Sequence, residues 1–153
     1  MEVYRICLAK YAGALVASGN PGRWNRRGQF VIYAAGSRAL ACLENVVHRS
    51  GEGLNDLFKV VVIDFPDGMA VAELILADLP AGWEAPQRYA RCQPLGATWY
   101  TGRAAAVLRV PSSVIAHEFN YVFNTQHPDF ARVRLVGRED FAFDPRIKGE
   151  EAG

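Results

Sequence analysis

The chain has 153 residues, with 17 Lys and Arg against 16 Asp and Glu, a formal net charge of +1, 50% hydrophobic residues and three cysteines. Such an apolar content excludes a disordered chain, and the length suits one domain with one core. The balanced charge excludes a protein that works mainly by coating nucleic acid or an anionic membrane, while leaving a small anionic ligand open.

Cys7, Cys42 and Cys92 lie far apart and are odd in number, so they form neither a disulfide framework nor a CxxC motif, and thiols in a reducing cytosol are expected. The first residues carry Glu2 and Arg5 with no apolar run ending in a cleavage site, and no apolar run approaches the length of a membrane span. The expectation is a soluble, cytoplasmic protein.

In chain order, Tyr4, Ile6 and Leu8 alternate with Arg5 and Cys7, which predicts a strand with one face on the core. Residues 19–28, rich in Gly and Arg, read as a loop, residues 30–34 as a short strand, and Gly36-Ser37 as a turn with Ser37 as a helix N-cap. The spacing of Leu40, Leu43 and Val47 predicts a helix over residues 38–48. Residues 58–65 form a β-branched strand ended by Pro66-Asp67-Gly68. Residues 79–94, with three prolines, match no single pattern. Residues 98–103 suggest a short helix, 105–110 a strand stopped by Pro111, 119–123 another strand, and 133–136 and 141–143 two short closing strands. Residues 148–153 form a charged tail. The pattern is mixed α+β, without the strand-helix alternation of a doubly wound fold.

Three features could carry chemistry. Glu44 falls on the apolar stripe of the predicted helix, so it either sits at the stripe's edge and reaches water, or pairs with a cation, takes up a proton, or lines a cleft. The loop holds Arg23, Arg26 and Arg27 beside Trp24 and Asn25, and guanidiniums among glycines can bind phosphate bidentately; its glycines match neither a P-loop nor a dinucleotide fingerprint. Ser112 and Ser113 follow a strand without a GxSxG elbow, and His117 and His127 lack the HExxH spacing of a zinc site.

In order and spacing, Arg5, the Gly-Arg-Trp-Asn run at residues 22–25, Tyr33, the Ala-Leu-Ala-Cys-Leu-Glu run at 39–44, Val110-Pro111-Ser112 and the segment 120–128 resemble the RES domain. The resemblance extends to Arg146, giving a RES domain over residues 1–147. It implies a single domain with an ADP-ribosyltransferase-like mixed sheet and short helices. It further implies a toxin of a type II toxin-antitoxin pair that degrades NAD+ by phosphorolysis or hydrolysis and so arrests growth. A protein ADP-ribosyltransferase and a non-catalytic nucleotide-binding module are the alternatives. The resemblance assigns Arg23, Tyr33, Glu44 and Ser112, with Ser113 adjacent, as catalytic, and Arg5, Arg23, Trp24, Asn25, Tyr33 and Asn120 as NAD-binding. It implies no cofactor and no metal, with NAD+ as substrate and inorganic phosphate as a candidate co-substrate. The partner would be an Xre-like helix-turn-helix antitoxin in a hetero-oligomer, with no direct nucleic-acid contact.

Overall fold

The computed structural model describes residues 1–48 and 57–147; the predicted tail lies outside them. Seven strands form one sheet: β1 (Glu2–Leu8), β2 (Val31–Ala35), β3 (Phe58–Asp64), β4 (Val71–Glu73), β5 (Val107–Pro111), β6 (Phe119–Asn124) and β7 (Arg134–Phe141), in the spatial order β4-β5-β6-β2-β1-β3-β7. Neighbours are antiparallel except β4 and β5. Two α-helices, α1 (Arg38–His48) and α2 (Tyr89–Gly102), complete the mixed α+β fold. Among the described residues no helix is long and apolar enough to cross a membrane.

The sheet is covered on both faces, which explains why β3 reads as a continuous apolar run rather than an alternating one. Val60 and Val62 pack with Leu40, Ala41 and Cys42 of α1, while Val61 and Ile63 join Phe65, Tyr121 and Phe123 on the other face. Ser37 caps α1 as predicted: its Oγ accepts the Leu40 N–H at 3.1 Å.

Two predicted elements are corrected. The helix expected over residues 98–103 begins at Tyr89 and contains Pro94. The proline masks the helix in the sequence, because its missing N–H and its ring normally end one. The two short closing strands are a single strand, β7, which runs through Gly137-Arg138-Glu139-Asp140. As an edge strand it tolerates charge, and its two carboxylates are paired: Glu139 takes a bidentate contact from Arg38 at 2.8 and 2.7 Å, and Asp140 pairs with Lys59.

The junction of β1 and β2 positions the site. They pair at Tyr4 and Ala35 alone, whereas β1 pairs with β3 along its whole length. Past that point β1 and β2 part, and a cleft opens at the split.

Candidate active-site cleft

The cleft has a volume of about 1280 Å³, above the roughly 300–1,000 Å³ common for small-molecule pockets. Arg5 of β1, Arg23 of the 19–28 loop, Tyr33 of β2, Glu44 and His48 of α1, and Asn120 of β6 line it. Arg5 sits between Tyr4 and Ile6 and so projects to the opposite face of the sheet from Ile6; it reaches the cleft because the sheet is split there.

Glu44 is the electrostatic centre. Ser112 Oγ donates to its Oε1 at 2.8 Å and Asn120 Nδ2 to the same oxygen at 2.7 Å, while His48 Nε2 lies 3.2 Å from Oε2. Its side chain is 17% exposed. Burial pushes its carboxyl pKa up, but the hydrogen bonds from His48, Asn120 and Ser112 outweigh burial and hold it below the ordinary value. Of the readings open in the sequence, the structure has Glu44 lining a cleft as a carboxylate.

That shift makes stability depend on pH. A carboxyl lowered in the folded state stabilises the protein fully above the ordinary value of 4.5, and this contribution is lost as the pH falls through the lowered value. Thermal unfolding of the wild type and Glu44→Gln in parallel should show the wild type losing stability relative to the variant as the pH drops below 4.5. A difference that stays constant or grows on acidification would contradict the assignment.

Ser112 is buried and absent from the cleft wall; its Oγ accepts the N–H groups of Val114 and Ile115, both at 3.0 Å, which orients its own proton toward Glu44. Ser112 therefore fixes the carboxylate from behind, and Ser113, which lines the cleft, makes no such bond.

The arginine loop divides its charges. Arg23 faces the cleft, with Nη1 donating to the Trp83 carbonyl at 2.5 Å and the guanidinium 5.8 Å from the Trp83 ring centroid. Arg26 and Arg27 are exposed and line no part of it. Neither Arg5 nor Arg23 makes an ion pair among the described residues, so both cationic groups remain available to an anionic ligand.

Two residues expected to contact ligand, Asn25 and Trp24, stand differently toward the cleft. Asn25 is fully buried and outside the cleft wall, because the loop consumes its polar atoms: Nδ2 serves the carbonyls of Asn20, Arg26 and Gln29, and Oδ1 accepts the Tyr33 hydroxyl at 2.5 Å. Trp24 does line the cleft, but it is 3% exposed and packs on Trp83 with centroids 6.0 Å apart, so it presents little surface there. Tyr33 lines the cleft while its hydroxyl accepts the Trp24 N–H at 3.1 Å; burial holds its phenol well above the usual range, against the lowering by that N–H and by Arg23, so it stays neutral.

His48 and Gln93 escaped sequence reasoning. His48 had a signal, its helical i,i+4 spacing from Glu44. Gln93 had none, because its partners lie about seventy residues away in sequence.

A carboxylate kept ionised and two guanidiniums without ion-pair partners among the described residues share one cleft wall at the split of the sheet, so this is a small α+β protein whose site presents both signs of charge. This chain belongs to the RES-domain family, whose model matches residues 2–144. It is similar to a Prs ADP-ribosylating toxin of Sphingobium sp. (strain YBL2), at 38% identity over 138 residues that span 89% of this chain and 84% of the relative. It is also similar to the Toxin Res of Yersinia enterocolitica, at 31% identity over 153 residues covering 97% and 100% of the two chains. Its fold resembles a chain of the M. tuberculosis MbcT-MbcA toxin-antitoxin complex, with a TM-score of 0.75, 21% identity, and coverage of 92% of this chain and 84% of that one.

Proposed function

We propose that this protein is the toxin of a toxin-antitoxin pair, and that its cleft binds NAD+ and breaks the bond between nicotinamide and ribose. The observation that carries the reading is the ionised Glu44, held by Ser112, Asn120 and His48 in a cleft that also presents Arg5 and Arg23. The names of the relatives support it: two are toxins, and an ADP-ribosylating protein needs a donor of ADP-ribose.

Arg23 and Arg5 hold the diphosphate, and Tyr33 supplies an aromatic face for the nicotinamide. As the glycosidic bond breaks, nicotinamide departs with the bonding pair and becomes neutral, while the anomeric carbon takes on positive charge. A carboxylate fixed beside the ribose stabilises that oxocarbenium-like state more than the ground state, which is the condition for catalysis. Ser112 and Asn120 both bind Oε1 of Glu44, and Oε2, which meets only the His48 ring among the described residues, keeps a lone pair for the sugar.

The acceptor is water or inorganic phosphate; water adds through oxygen and gives its proton to solvent. A second reading, transfer to a protein, is favoured by the Sphingobium relative's name. NAD+ labelled in the ADP-ribose part, incubated with the purified protein in the presence and absence of phosphate and candidate proteins, separates them. Free ADP-ribose means hydrolysis, ADP-ribose-1″-phosphate means phosphorolysis, and labelled protein means transfer. Recovery of intact NAD+ from every mixture would overturn the reading in favour of a binding module.

The partner is an antitoxin that holds the enzyme in check in the cytoplasm, and the complex named for the structural neighbour supports that pairing. An Xre-like helix-turn-helix protein is the form proposed. Pull-down of the protein expressed with the product of its neighbouring open reading frame tests this, and a monomeric toxin under those conditions would count against it.

A further inference from the structure

Arg23 sits on a four-residue turn. The Gly22 N–H donates to the Asn25 carbonyl at 3.1 Å, and these two residues form an isolated bridge with Arg23 and Trp24 between them. The bridge leaves lone pairs on both end carbonyls facing α2. Gln93, in the first half of that helix, fills them: its Nε2 donates to Gly22 O at 3.0 Å and to Asn25 O at 3.1 Å. One amide group, with two N–H bonds, thus grips both ends of the turn that carries the cleft's arginine.

We propose that Gln93 is a positioning residue for anion binding, acting through the turn to aim the Arg23 guanidinium into the cleft. Gln93 does not line the cleft, so it touches no ligand there. Other contacts to the turn restrain Trp24 and Asn25: the Tyr33 hydroxyl takes the Trp24 N–H, and Asn25 is tied to its own loop. The guanidinium itself donates to the Trp83 carbonyl and lies beside the Cys92 thiol, both contacts to the neighbouring 83–92 segment and neither to the turn's own ends. Without Gln93 the Gly22 and Asn25 ends of the turn lose their tie to α2 while Trp24 stays packed, and a small shift of those ends takes Arg23 off its line at a cost to ligand binding that exceeds the cost to folding. A long cationic side chain gains affinity only when its geometry is fixed before the ligand arrives.

This inference rests on reading Arg23 as the cation that holds the diphosphate. Its test is a double-mutant cycle with Gln93→Met, which keeps the length and helix preference but removes both N–H donors, and Arg23→Ala. Inorganic pyrophosphate is the binding probe, measured by calorimetry, and NAD+ turnover is followed in parallel. Gln93→Met should weaken pyrophosphate binding about tenfold and raise KM for NAD+ with a smaller effect on kcat. In the Arg23→Ala background the same substitution should add almost nothing. Wild-type affinity in Gln93→Met, or an equal loss with and without Arg23, would overturn the inference, since the second result marks a merely structural role. Absence of pyrophosphate binding by the wild type would overturn it as well. Pyrophosphate binding with the predicted coupling but no NAD+ turnover would support the inference and sink only the proposed reaction.

Discussion

Replacing Glu44 by Gln should lower the rate of nicotinamide release by roughly a hundredfold to a thousandfold, the scale seen when one preorganised electrostatic group is removed from a transition state. Gln has nearly the same shape, and its amide oxygen can still accept from Ser112 Oγ and Asn120 Nδ2, which now meet at Oε1. The packing of α1 on the sheet is untouched, because Leu40, Ala41 and Cys42 carry it. What disappears is the negative charge. A loss in kcat with KM little changed would show that the charge acts on the developing cation rather than on bound substrate. A variant that folds normally and retains more than about a tenth of the wild-type rate would remove Glu44 from the role assigned to it.

The largest effect on stability is expected at Gly96. A Cβ built there lies 1.8 Å from the Trp24 carbonyl oxygen and 2.5 Å from its carbon. These are backbone atoms that no rotamer change can clear, so α2 or the Arg23 turn must move. Trp24 itself is wedged against Trp83, within the cluster that includes Cys92, Trp99 and Leu108, so the turn has little room to yield. Gly96→Ala should therefore cost about 3 kcal/mol or more, beyond ordinary overpacking, and lower Tm by roughly 10 °C for a domain of this size. Gly102, on the same helix, is the internal control. Nothing lies within 4 Å of its added Cβ, and Gly102→Ala should leave Tm unchanged or slightly raised. Equal melting temperatures for the two variants would show that the approach of α2 to Trp24 is not the constraint. Activity should fall with Gly96→Ala even below its melting point, because the strain falls on the turn that holds Arg23.

The sequence made some of this plain for physical reasons. Glu44 stood out because a helix at 3.6 residues per turn put a carboxylate where packing wanted an apolar group, and the structure resolves that conflict with donors from Ser112 and Asn120. The β3 strand and the Ser37 cap were legible because their signals are local. The surroundings of Asn25 were not legible, because an Asn beside arginines looks the same whether its amide faces a ligand or its own backbone, and the three carbonyls it serves are a tertiary fact. Pro94 hid α2, and the charges of β7 hid an edge strand whose partners, Arg38 and Lys59, come from elsewhere in the chain. The split between β1 and β2 could not be read at all, since a strand carries no mark of where its neighbour leaves it.

The most direct test is a time course of NAD+ with the purified protein, followed by proton NMR of the nicotinamide ring. One free nicotinamide should appear for each NAD+ consumed, and its release should slow by roughly a hundredfold or more in Glu44→Gln. Saturable NAD+ binding by the folded protein with no release of nicotinamide would contradict the account.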